Sequence, residues 1–194
     1  MPRPKYKKNE KTAVEKIEDA FWELLETTRY SCITVAQVVK LAGLNRNSFY
    51  YHFENMDDLA HTAVTDTMSP AAVSVMVDAM NGKDDLAVTH TPEFKQSVER
   101  FCLIAGKNSS YGLRTMLTDA LEQAWCKIVH VDPAKFTKKD KVIVSYLLGG
   151  TLSVFAYCAD NNIEVPMEEI LHSGLSKRVH ETLLEIAAEQ NAVA

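Results

Sequence analysis

The sequence predicts an all-α protein in two parts: a three-helix unit with a helix-turn-helix, then a longer helical domain. Three observations carry this. Capping boxes recur immediately before apolar runs of three- and four-residue spacing. No sustained alternating apolar pattern marks a sheet. Thr34 to Leu59, reading TVAQVVKLAGLNRNSFYYHFENMDDL, carries two short amphipathic helices around a glycine turn and the start of another. The expected domains are 1–54, with a basic N-terminal arm, and 55–194.

Thr12 and Glu15 form a capping box, so the first helix starts there, with Val14, Ile17, Phe21, Leu24 and Leu25 on its buried side. Thr34 and Gln37 repeat the pattern. Val35, Val38, Val39 and Ala42 then share one face, and Leu41 is assigned to the core with Val35 and Val38. Gly43 supplies a left-handed helix end that Leu44 can fold over. Asn45 caps the next helix, where Phe49 and Phe53 point inward together. Its other positions are Arg46, Asn47, Ser48, Tyr50, Tyr51 and His52, a donor-rich face with almost no acid. Asn55 caps a fourth helix running toward Met68, with Asp57 and Asp58 at its positive end.

Ser69-Pro70 reads as a cap with proline at the first helical position, and the domain junction lies near it. Val73, Met76, Val77 and Met80 fit a helix better than the strand that Val73, Val75 and Val77 would make. Asn81 to Thr91 contains Asn-Gly and reads as a loop. Four further helices are expected: Pro92–Ser109, Ser110–Val131 with a break at Asp132-Pro133, Thr137–Asn161, and Pro166–Ala188.

A helix-turn-helix makes the DNA major groove the leading candidate ligand, with Arg46, Asn47, Ser48 and Tyr51 nearest the base edges. The chain's net charge of −5 looks adverse until it is divided: residues 1–55 carry +2 and residues 56–194 carry −7. Arg3, Lys5, Lys7 and Lys8 lie in the first eight residues without an acid, either as a solvated leader or as an arm reaching DNA.

At Ala42-Gly43-Leu44, Ser48-Phe49-Tyr50-Tyr51-His52-Phe53, Asn55 and Leu59 the chain resembles the TetR family of bacterial transcriptional regulators, over roughly its first third. The resemblance implies a homodimeric, ligand-responsive regulator, most often a repressor that blocks a promoter. Thr34, Tyr50 and His52 are implied phosphate contacts. Two positions depart from the pattern: Met56 stands where a phosphate-binding lysine is usual, and Arg29 where glycine is common before the aromatic at Tyr30.

The expected partners are a palindromic double-stranded operator, a second copy of the chain and an unidentified small-molecule effector. The alternative is a related DNA-binding or interaction module with no effector, acting as an activator or accessory factor. For the dimer, the apolar helix 137–161 and the helix 166–188 supply Gly149, Gly150, Leu171, Leu175, Val179 and Leu183. A glycine pair inside a helix suggests close packing. For the effector, Phe101, Tyr111, Arg114, Met116, Trp125 and Tyr157 are candidates between helices 92–109 and 110–131, although Arg114 also reads as an outward, solvated residue.

Hydrophobic content of 46% and charged content of 24% are ordinary for a globular chain. Cys32, Cys102, Cys126 and Cys158 lack ligand spacing and read as reduced, buried apolar residues. No catalytic motif, metal cluster or cofactor loop is recognisable, so no enzyme, metal or cofactor is expected. No uninterrupted apolar run is read as approaching membrane-spanning length, and MPRPKYKK leads into no signal-peptide segment, so the expected location is cytoplasmic with no membrane partner.

Overall fold

The computed structural model describes residues 11–68, 72, 73, 75, 78 and 87–192, and every regular element among them is helical. The N-terminal arm, Ser69-Pro70, Met76, Val77, Met80 and the Asn-Gly of the expected loop lie outside the described residues.

Helix α1, Ala13–Thr27, opens on the expected capping box: Thr12 accepts from the Glu15 amide, and Glu15 accepts from the Thr12 amide at 2.6 Å. Ile17, Phe21 and Leu25 are fully buried. After a 3-10 turn at Tyr30–Cys32 comes α2, Val35–Leu41, started by the Thr34–Gln37 box. Gly43, at φ +67, ends it in a left-handed turn. The Leu44 amide then donates to the Val39 carbonyl at 2.8 Å and the Gly43 amide to the Lys40 carbonyl at 3.3 Å. These two bonds satisfy carbonyls that a helix end leaves unpaired. Leu41 is not in the core. It is 44% exposed, because α2 buries only the Val38–Val39 side of its last turn.

Asn45 caps α3, Arg46–His52, by accepting from the Ser48 amide at 2.9 Å. Asn55 does the same for α4, Met56–Thr67, through the Asp58 amide at 2.9 Å. Beyond it Ala72, Val73, Val75 and Asp78 are helical, which settles the strand-or-helix ambiguity at Val73 and Val75. A 3-10 turn at Ala87–His90 occupies the end of the expected loop.

Helix α5, Pro92–Ala105, begins with Thr91 as cap and proline in its first turn, and ends at Gly106, earlier than expected. Helix α6, Tyr111–Val129, is stopped by His130 in the left-handed conformation rather than by Asp132-Pro133, which opens a 3-10 turn instead. Helix α7, Lys138–Asn161, starts on a Thr137–Asp140 capping box. The helix expected over 166–188 is two: α8, Met167–Leu171, and α9, Gly174–Ala192. The Ser173 and Ser176 hydroxyls both donate to the Ile170 carbonyl, at 2.5 and 2.7 Å, drawing the chain out of the helical ladder. Gln190 pins α9 to the Asp132 backbone at both its amide nitrogen and its carbonyl.

One hydrophobic core runs from Ile17 to Ala187 without a break at position 54. Leu59, Ala60, Ala63 and Val64 of α4 sit inside it, packed between α1, α5 and α6. A satellite cluster joins Ala72, Val75 and Phe94.

The expectation about apolar runs needs correcting. Val142 to Ala159 contains no charged residue, and α7 is long and apolar enough to cross a membrane by length and composition, with a mean hydropathy of 1.8. Only 22% of that stretch is buried. Val144, Leu148, Phe155 and Cys158 face the chain's own core, while Val142, Tyr146 and Tyr157 are 70%, 79% and 63% exposed.

Candidate nucleic-acid interface and ligand cleft

The proposed reading head is set by what α3 hides. Phe49 is fully buried and Phe53 nearly so, their rings 5.6 Å apart. In a helix of seven residues that commits one side inward and turns the rest out. Tyr51 is 83% and Tyr50 58% exposed, and Arg46, Asn47 and His52 are exposed beside them. Tyr51 and His52 meet edge to face at 4.8 Å. Ser48 is half-buried, and its hydroxyl donates to the Asn45 side chain at 3.3 Å. The exposed Thr34 hydroxyl donates to Gln37 at 2.8 Å, so a phosphate contact there would exchange that bond.

Both departures from the family pattern have local explanations. Met56 is half-buried and packs against the core, where a lysine could not extend its charge inward without cost. Arg29 has φ −59 and ψ 136, which any residue adopts, so glycine is not required. Tyr30 donates its hydroxyl to Asp57 at 2.5 Å, tying the 3-10 turn to α4. Burial first, and then that carboxylate, push the Tyr30 phenol well above its usual range.

Contacts to α5 and the turn after it also join this unit to the rest of the chain, and nothing in the sequence announces them. The last carbonyls of α1 have no helical partner. Asn108, in the turn after α5, donates to two of them, Leu25 at 3.1 Å and Glu26 at 2.8 Å. Its own carbonyl accepts from the Tyr30 amide at 2.8 Å. Arg100 of α5 lies 5.1 Å from the Trp22 ring centre, a cation–π geometry. Glu18 is buried nearby with one carboxylate oxygen unpartnered. Desolvation first, and then Asp66, raise its carboxyl above the ordinary range, with Arg100 pulling the other way.

A cleft of about 900 Å³ opens between α5, the 106–108 turn, the end of α7 and the 162–169 segment, with Leu25 and Glu26 of α1 on one wall. It is not where the sequence put it. None of Phe101, Tyr111, Arg114, Met116, Trp125 and Tyr157 lines it. Phe101 and Trp125 are 7% and 4% exposed inside the core, and Met116 packs against that core. Tyr111 and Tyr157 face solvent at 87% and 63% exposure. Arg114 points outward and donates to the Gly106 carbonyl at 3.0 Å. The size that suits an aromatic to a ligand pocket is also what takes Phe101 and Trp125 into the core.

The candidate dimer residues separate as well. Gly149 and Gly150 are exposed, and a Cβ on either would meet nothing within 4 Å in the protomer. Leu175 is 58% exposed, and Leu171 and Val179 are half-buried. Leu183 is 3% exposed and belongs to the chain's own core, so it offers a partner no surface. Cys126 and Cys158 are buried as expected and Cys102 is half-buried, but Cys32 is exposed. Burial pushes the Cys102 and Cys126 thiols up to about 11. Among the described residues, no group of three His, Cys, Asp or Glu could hold a metal ion.

Residues 17–63 match the family described as bacterial regulatory proteins, tetR family. No curated protein matches the chain. A crystal structure of AlkX, a TetR family repressor from Dietzia sp. strain DQ12-45-1b implicated in biodegradation of n-alkanes, aligns over 91% of this chain and 97% of that one, at 18% identity and a TM-score of 0.45. The matched segment covers α2, α3 and most of α1 and α4, and it defines the protein as a transcriptional regulator with a helix-turn-helix DNA-binding domain. Over residues 17–63 the chain thus carries a helix-turn-helix unit of the TetR type.

The buried Glu18 gives a pH-dependent test. Its folded-state carboxyl is raised, so it favours folding in the protonated form; that contribution is present at low pH and lost as pH rises through the folded value. Glu18→Gln should therefore raise the thermal midpoint at neutral pH and lose its advantage below about pH 4, where an unfolded glutamate is itself protonated. Thermal melts of both proteins across that range measure it. A variant less stable than wild type at neutral pH would show that Arg100 pairing outweighs desolvation.

Proposed function

We propose that the protein is a cytoplasmic, homodimeric repressor that lays α3 in the major groove of a palindromic operator and leaves it when a small molecule binds. The observation that carries the DNA reading is the donor-rich face of α3, which the burial of Phe49 and Phe53 turns outward. In this reading residues 1–54 form the DNA-binding domain, with the basic arm beside it, and 55–194 form the effector and dimerisation domain. Arg46 reads a guanine edge, with Asn47, Ser48 and Tyr51 near neighbouring bases. Thr34, Tyr50 and His52 hold phosphates.

The dimer rests on α7 and α9. Val142, Tyr146, Gly149 and Gly150 of α7, with Leu175 and Leu184 of α9, leave an apolar surface uncovered in the protomer. Two such helices from each subunit make a four-helix bundle. A lipid environment for α7 is disfavoured because Val144, Leu148 and Phe155 are buried against helices of the same chain. The bare glycines let a partner backbone approach closely. Twofold symmetry then requires inverted half-sites.

Selection of bound duplexes from a random pool supplies an operator for the test. Arg46→Ala should weaken binding to it by about 1–3 kcal/mol and relax specificity at one base pair, whereas Tyr50→Phe should weaken all duplexes alike. Unchanged affinity in both variants would refute the docking. Leu175→Asp should give monomers with little operator affinity, seen by analytical ultracentrifugation. A wild-type protein monomeric at micromolar concentration would sink the bundle.

A further inference from the structure

The charge lining the cleft is mostly of one sign. Glu26, Glu99, Asp160, Glu164 and Glu169 contribute to its walls, and among the described residues no ion pair neutralises them. Glu168 is satisfied separately by His90, with 2.8 Å between Nε2 and Oε1. Lys95 and Lys107 are the lysines of the lining. The apolar part of the lining, its floor, is Phe94, Val98 and Cys102 from α5 with Ile163, Val165 and Met167 beyond α7.

Resting on the effector reading above, we propose that this cleft takes an organic cation with an apolar body. Its volume of about 900 Å³ lies within the range of small-molecule sites. The carboxylates are solvent-exposed and individually screened, but their excess of one sign around the cleft draws a cation in and repels an anion of the same shape. The floor then buries the apolar part, which a small hydrated metal ion could not use. Occupancy reaches the DNA-binding unit by a short route. Asn108 lines the cleft and also holds the Leu25 and Glu26 carbonyls at the end of α1, and α1 packs against α2 and α3. A ligand that pulls on the 106–108 turn therefore pulls on the helix behind the reading head.

The test uses two probes of matched shape and opposite charge, tetraphenylphosphonium and tetraphenylborate, titrated calorimetrically into the full-length protein in sodium buffer. The phosphonium should bind at least about ten-fold more tightly than the borate. The triple variant Glu99→Gln, Glu164→Gln, Glu169→Gln should weaken the phosphonium and strengthen the borate, a reversal that misfolding cannot produce. Val98→Trp, which fills the floor, should abolish the binding of both. Borate binding as tight as phosphonium, or phosphonium binding indifferent to these substitutions, would overturn the proposal. Release from the selected operator is measured separately. Phosphonium held in the cleft with DNA affinity unchanged would overturn the effector reading and leave the cation site standing. Release by another compound that Val98→Trp does not affect would overturn this cleft as the effector site and leave the effector reading intact. Asn108→Ala should keep the phosphonium affinity but lose its effect on DNA; full retention of that effect would overturn the route through α1.

Discussion

The insertion of Phe49 and Phe53 into the core is the constraint on which the rest of the molecule's function depends. A seven-residue helix has no independent stability in water, since helices shorter than about 12–15 residues are marginal even in favourable sequences. Helix α3 exists because those two rings are buried against α1 and α2 and because Asn45 holds its first turn. The same burial fixes its rotation about its own axis. With Phe49 inward, Arg46, Asn47, Tyr50 and Tyr51 have no other direction than out. Stability and presentation of the polar face are one arrangement.

Around that helix the chain is built as a continuous solid. Helix α4 is covalently the next element, yet its apolar side packs against α1, α5 and α6 together. The far end of α1 is stitched to the turn after α5 by Asn108, and its middle meets Arg100 through Trp22. Packed interiors shift between discrete arrangements rather than deforming smoothly. A change at the cleft wall and a change in the tilt of the reading head can therefore be the same rearrangement, with no long relay between them.

Signals within a few residues of one another were legible in the sequence. The Thr12–Glu15 and Thr34–Gln37 capping boxes, the Asn45 and Asn55 caps and the left-handed Gly43 each depend on neighbours within five positions, and each forms as expected. Errors grow with sequence separation. Leu41 follows Val35 and Val38 along α2 but lies off the Val38–Val39 side that is buried, and it stays 44% exposed. Leu183 looks like a surface seam residue, yet α9 turns it onto the chain's own core. The Asn108 bonds span 82 and 83 residues, and nothing in a lone asparagine announces them. The cleft is illegible in the sequence for a related reason: its walls are mostly ordinary acidic and apolar residues, while Phe101 and Trp125 fill the core and Tyr111 stands in solvent.

The central claim is that α3 presents its outward face to base edges, and photo-crosslinking tests it most directly. Tyr51 on α3 and Tyr111 on α6 are almost equally exposed, at 83% and 87%, so each can carry benzoylphenylalanine without disturbing the core. On a selected palindromic duplex, the Tyr51 position should crosslink to bases in the major groove of both half-sites, about one helical turn or a multiple apart, and the Tyr111 position should not. Capture of DNA from Tyr111, or a Tyr51 variant that binds the duplex fully without crosslinking, would contradict the account.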